Sequence, residues 1–185
     1  MYISEIWSIL KTSHGNAVLL KPRNMEVAVP IFIGTLELQS VLIGKEGASL
    51  SRPHTHDLFL NMLSHVNLSV KKIVICDVID DVFHARMVIV GGEYTKENPL
   101  ILDSRPSDAL AIAVRKKCPI YINPSVIEAT GVPLAVFLNE MEENTDNKYR
   151  SLKEQLELAV AEEEYEQAAE IRDLLKILES DAEPA

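Results

Sequence analysis

Two stretches of this 185-residue chain turn back through connections too short to hold a crossover. Val70–Val78 and Val82–Val90 are β-branched apolar runs joined only by Ile79-Asp80-Asp81, and Tyr2–Leu10 and Val18–Leu20 flank the turn signal His14-Gly15-Asn16. Parallel neighbours need a connection of about a dozen residues or more, so both pairs are expected to run antiparallel. Val27–Ile33 is a further strand, entered after the Pro22 to Asn24 turn and ended by Gly34; Leu100–Leu102 and Ile120–Ile122 are short ones. Three helices are expected among them. The first is capped by Thr35 and runs through Leu36, Leu38 and Leu42 to about Gly44. Gly47 to Pro53 is a loop, and Thr55 then caps a second helix with Asp57 in its first turn and an apolar stripe of Phe59, Met62, Leu63 and Val66. Pro106-Ser107-Asp108 opens the third, whose unbroken run Ala109 to Val114 predicts burial on most sides before Pro119 stops it. Val126–Ala129 is a helical turn. Strands outnumber helices, which predicts an α+β domain over residues 1–132: a compact, mainly antiparallel sheet packed with helices.

Pro133 to Asn147 loses periodicity and turns acidic, so 133–147 reads as a linker. Beyond it, 148–180 reads as a helical hairpin. Leu152, Leu156 and Val160 form one stripe, Ala168, Ile171, Leu175 and Leu178 the facing seam, and Glu162 to Glu164 the turn. Two helices of that size bury too little to be stable alone. They are expected to pack on their own domain, on a second copy in a homo-oligomer, or on a protein partner.

Charge limits the partners. The chain carries a net −10, and the tail from Lys148, with 5 basic and 11 acidic residues, holds −6 of it. Four further acids, Glu140, Glu142, Glu143 and Asp146, lie in the acidic run, so the remaining body is neutral. A neutral body binds phosphate through a local patch and not by bulk attraction. Cys76 and Cys118 stand far apart with no CxxC, which argues against a disulfide framework and a thiolate zinc site. No 18-residue apolar stretch and no basic leader is seen, so no membrane partner is expected and a reducing cytoplasm fits best.

Polar residues concentrate at two helix starts, Arg52-Pro53-His54-Thr55-His56-Asp57 and Asp103-Ser104-Arg105-Pro106-Ser107-Asp108. Each sets an arginine, an acid and a hydroxyl at the positive end of a helix, an arrangement suited to phosphate. Thr55 and Ser107 also serve as caps and Asp57 and Asp108 as dipole partners, but capping needs no arginine. The chemistry such groups can perform is metal-assisted phosphodiester hydrolysis. Asp57, Asp103 and Asp108 are candidate ligands for Mg²⁺ or Mn²⁺, and such close carboxylates would favour retention of a proton. Arg52, Arg105 and Ser107 are candidate phosphate contacts; His56 is the candidate general base, with Asp57, Asp103 and Asp108 completing the catalytic set. His14, His65 and His84 read as surface or structural histidines, Cys76 as packing and Trp7 as core.

Residues Pro30 to Thr130 resemble the bifunctional nuclease family, the DUF151 domain. The matching stretches are Ile31 to Gly34 followed by Glu37, then Arg52-Pro53 with Thr55-His56-Asp57-Leu58, and above all Asp103-Ser104-Arg105-Pro106-Ser107-Asp108-Ala109 leading into Leu110-Ala111-Ile112-Ala113. The family usually has an apolar residue where this chain has His54. The resemblance implies a compact α+β domain and nuclease activity on DNA and RNA. The tail, with Leu152-Lys153-Glu154-Gln155-Leu156, Glu164-Tyr165-Glu166, Ala168-Ala169 and Ile171-Arg172-Asp173, resembles the UVR motif of the bacterial excinuclease subunits. That resemblance implies protein docking, with Tyr165, Ala169 and Arg172 as the contact residues. The expected protein is a cytoplasmic nuclease with a docking hairpin; the alternative is a non-enzymatic regulatory or binding protein with an anion pocket.

Overall fold

A computed structural model describes residues 1–12, 15–47, 51–161 and 164–182. His14 of the expected first turn, residues 48–50 of the expected loop, and Glu162 and Glu163 of the hairpin turn lie outside the described residues.

The apolar runs become strands β1 (Tyr2–Thr12), β2 (Gly15–Pro22), β3 (Val27–Ile33), β4 (Ser69–Ile79), β5 (Val82–Val90), β6 (Leu100–Ser104), β7 (Ile120–Ile122) and β8 (Val132–Pro133). They form one sheet in the order β6-β5-β4-β7-β1-β2-β3-β8. Both expected hairpins form: β1 pairs antiparallel with β2, and β4 with β5 through Asp80 and Asp81, each with positive φ. Two left-handed residues give the turn a twist that matches its strands, and Asp tolerates that region better than most residues. β4 and β7 run parallel, a connection that α3 makes possible by crossing between β6 and β7. The result is the mainly antiparallel α+β fold expected.

Helices α1 (Thr35–Glu46), α2 (Thr55–His65), α3 (Pro106–Lys116) and α4 (Pro124–Thr130) belong with this sheet. The α3 run behaves as its composition predicts: Ala109, Leu110, Ala111, Ile112 and Ala113 are all buried, in one cluster with Ile73, Ile75, Met87 and Ile89 from the sheet and Val41 from α1. Its alanines present no bulk, so α1 packs close. Gly44 of α1 marks the tightest point, where a Cβ would lie 2.7 Å from both Val114 Cγ2 and Arg115 Nη1. Trp7, expected in the core, is only half-buried; it falls at an irregularity of the β1–β2 register between Ile6 and Ser8, which takes it out of the regular alternation.

Met1–Pro133 forms one compact unit, and a second begins at Leu134. The second holds α5 (Leu134–Ala161) and α6 (Tyr165–Ala182), which pack on each other. The stretch read as a linker over 133–147 is therefore helical from Leu134 onward. Its leucines, alanines, glutamates and methionine are good helix formers, and a missing apolar stripe removes a packing face without removing helix propensity. In the hairpin, Ala159 and Leu175 are buried and Leu152, Leu156, Ala168 and Ile171 half-buried, whereas Val160 is exposed. The inner stripe of α5 steps from Leu156 by three residues to Ala159, following the 3.6-residue period that a strict step of four overshoots. The side chain of Leu178 lies outside the described residues.

Candidate functional site

The first turns of α1, α2 and α3 meet. Their N-caps are Gly34, His54 and Arg105, so Thr55 and Ser107 are first-turn residues and not the expected caps. At α2 the backbone N–H of His54 donates to Asp57 Oδ2 at 3.1 Å, so the carboxylate three residues on satisfies the helix start and no Thr55 cap is needed. At α3, Pro106 fills the first helical position, where its missing N–H costs nothing. Ser107 is thereby driven inward; it is 7% exposed.

His56, on α2, ties all three helices together. Its Nδ1 lies 2.9 Å from Ser40 Oγ on α1 and its Nε2 3.3 Å from Asp108 Oδ1 on α3. An acceptor-only carboxylate on Nε2 selects the tautomer protonated there, which leaves Nδ1 to accept the Ser40 hydroxyl proton. Asp108 in turn holds Arg105: Arg105 Nε donates to Oδ2 at 2.9 Å and Nη2 to Oδ1 at 3.2 Å, and Nη1 reaches Glu37 Oε1 on α1 at 3.3 Å. Burial pushes the Asp108 carboxyl up, but hydrogen bonds and charge from Arg105 and His56 overcome it, and the group lies below its ordinary value. Hydrogen bonding to Asp108 and its charge, with Glu37 adding to both, raise the Arg105 pKa. Three of the five guanidinium N–H donors are used, so two remain for a ligand. Arg105 is exposed and lines a cleft of about 350 Å³ with Ser107, Glu37, Phe32, Val82 and Phe83. β3 and β5 stand four strands apart in the sheet, so this shared cleft reflects the sheet's curl.

A second network lies beside the first. Arg115, only 7% exposed, donates from Nε to Asp57 Oδ1 at 2.8 Å and from Nη1 to the carbonyls of Ser40 at 2.7 Å and Ala111 at 3.0 Å. Burial raises the Asp57 pKa, and the His54 N–H together with the hydrogen bond and charge of Arg115 more than reverses it, so Asp57 also lies below its ordinary value.

The structure thus brings His56, Asp108, Arg105 and Ser107 together and gives Asp57 to Arg115. Asp103 stands elsewhere. On β6, Leu100 packs against the core and Ser104 Oγ donates to Ala85 O, so alternation places Asp103 on the opposite face, opposite Arg86 and exposed. Arg52 is exposed in the bend before α2 and has no ion pair among the described residues. Asp57, Asp103 and Asp108 therefore do not converge, and the retained proton expected from their repulsion gives way to arginine pairing at Asp57 and Asp108. Among the described residues no three His, Cys, Asp or Glu side chains are grouped closely enough to hold an ion. Sequence reasoning missed Ser40 and Arg115 as members of this cluster; one is a lone helical serine, and the other reads as a dipole partner in the last turn of α3. Glu37 carried a signal only through its place after the Ile31 to Gly34 run.

Residues 18–135 match the family model of the bifunctional nuclease domain, and residues 146–181 match the UvrB/uvrC motif. An uncharacterized protein of Mycobacterium tuberculosis is 30% identical over 115 residues, which cover 62% of this chain and 66% of that protein. Bifunctional nuclease 2 of Arabidopsis thaliana is 26% identical over 190 residues, covering 90% of this chain and 54% of its own length. Bifunctional nuclease 1 of Oryza sativa subsp. indica is 25% identical over 120 residues, covering 63% and 35%. In each case this chain spans less than two thirds of the relative. Glu37, Ser40, His56, Arg105, Asp108 and Arg115 all fall within the first matched region.

Proposed function

We propose that this chain, which belongs to the bifunctional nuclease domain family, hydrolyses phosphodiester bonds of DNA and RNA where α1, α2 and α3 begin. The observation that supports this reading is one connected set of polar groups running from Ser40 through His56 and Asp108 to Arg105, which lines the cleft. In this reading the two remaining donors of Arg105 hold a substrate phosphate, and Ser107 adds a hydroxyl in the first turn of α3. His56 holds the proton that water gives up on attacking phosphorus, received through the Ser40 hydroxyl on Nδ1. Asp108 stabilises the imidazolium and fixes its ring. Glu37 and Asp108 keep the Arg105 fork in one orientation.

The family's hydrolytic chemistry suggests Mg²⁺ or Mn²⁺, but Asp57, Asp103 and Asp108 do not fit a shared ion in this arrangement, and no step is routed through one. Full-length protein should cleave plasmid and RNA, and His56→Gln should lower the rate about 100-fold or more with an unchanged melt. Full activity in a folded His56→Gln protein overturns the role of His56. Assays with EDTA and with added Mn²⁺ decide metal dependence separately.

The α5–α6 hairpin is the proposed protein-docking element. Tyr165 and Arg172 are exposed and Ala169 half-buried, beside exposed Leu158 and Leu174. A pull-down with and without Tyr165→Ala tests it. One observation favours the alternative of a non-enzymatic anion-binding protein: Asp57 and Asp108 already have arginine partners. Phosphate binding that depends on Arg105, with no cleavage by rigorously purified protein, would select that reading.

A further inference from the structure

We infer that the cleft beside Arg105 receives one unpaired nucleobase of the nucleic-acid substrate, with Phe32 as its stacking surface; the inference rests on the nuclease reading for the polymer that carries the base. At about 350 Å³ the cleft is at the small end of pockets for small organic groups. Its walls are apolar, from Phe32 and Ile33 of β3 and Val82 and Phe83 of β5, and its polar groups, Arg105 and Ser107, lie to one side on α3. Phe32 follows the buried Ile31 on an alternating strand and is 57% exposed, with Val82 across the cleft 58% exposed.

An open aromatic face beside an arginine with free donors is the pairing that single strands use, a base on the ring and the adjoining phosphate on the cation. A duplex hides the faces of its bases, and tight binding to its backbone requires a cationic surface that this chain, at net −10, does not supply. Stacking must then carry much of the affinity, and the substrate is a single strand or a locally unpaired segment.

The test uses the full chain and three phosphorothioate probes, which resist cleavage: a single-stranded 12-mer, the same strand made abasic, and its duplex, compared by fluorescence anisotropy at one salt concentration. The intact strand should bind roughly 10-fold or more tightly than either of the others, with Phe32→Ala erasing the preference over the abasic strand and Phe32→Trp keeping it. Equal binding of intact and abasic strands by the unmodified protein overturns the base pocket, a result that no misfolded variant can mimic. It is also overturned if Phe32→Ala changes the sedimentation of the protein but not its strand preference, since the cleft would then be a self-association surface. Cleavage is measured in parallel. Cleavage without base preference removes the pocket and leaves the nuclease reading, whereas base preference without cleavage removes the nuclease reading and leaves the pocket.

Discussion

Replacing Asp57 by alanine separates a structural carboxylate from a catalytic one. Asp57 Oδ1 accepts from Arg115 at 2.8 Å and Oδ2 from the His54 N–H at 3.1 Å. The substitution removes the N-terminal bond of α2, typically about 1 kcal/mol. It also leaves the Arg115 guanidinium, 7% exposed, without its counter-charge. Breaking a fully buried pair costs roughly 3–5 kcal/mol, but Asp57 is 34% exposed and water replaces part of the loss. The expected net destabilisation is about 2–4 kcal/mol, a fall in Tm of roughly 5–15 °C. Cleavage measured well below that Tm should stay near the wild-type rate. Because the folded-state pKa of Asp57 is depressed, its stabilisation is fully present above the unfolded value of about 3.9 and is lost as pH falls through the folded value. Wild type and Asp57→Asn should therefore differ in stability by a constant amount at neutral pH and converge in acid. Urea melts across pH with a parallel cleavage assay measure both. A wild-type Tm combined with abolished cleavage in Asp57→Ala would refute the structural assignment.

Gly44→Ala sets a helix-propensity gain of about 1 kcal/mol against a Cβ 2.7 Å from Arg115 Nη1 and Val114 Cγ2. A net loss of about 1–2 kcal/mol is expected in a denaturant melt, and stabilisation would show that α1 and α3 do not pack this closely. Asp103→Asn should leave cleavage within about twofold and the melt unchanged, because the side chain is exposed on the sheet face away from His56; a large rate loss in kinetics would return Asp103 to the site. A chain ending near Glu140 should melt cooperatively and keep cleavage while losing partner binding, as calorimetry and the same pull-down would show.

Local chemistry carried the elements a long way. The connection Ile79-Asp80-Asp81 leaves β4 and β5 no option but an antiparallel hairpin, and the run Ala109 to Ala113 suits a helix enclosed on nearly all sides; both signals are complete within about ten residues. The acidic 133–147 stretch misled because helix propensity persists where amphipathic periodicity stops.

The candidate site was legible as a parts list. His56, Arg105, Ser107 and Asp108 stand out in sequence because an arginine, an acid and a hydroxyl crowd each helix start. Which carboxylate meets which cation was decided only by tertiary structure. One residue of strand alternation sends Asp103 to the far face while Ser104 turns inward, and the packing of three helices delivers Arg115 to Asp57 across 58 positions and His56 to Asp108 across 52. Ser40 and Phe32 acquire meaning only there, one by facing a histidine from another helix, the other by facing a strand four places away in a curled sheet. A sequence records residue types and local periods; ion-pair partners and clefts depend on distances that the chain sets only when its apolar faces close together.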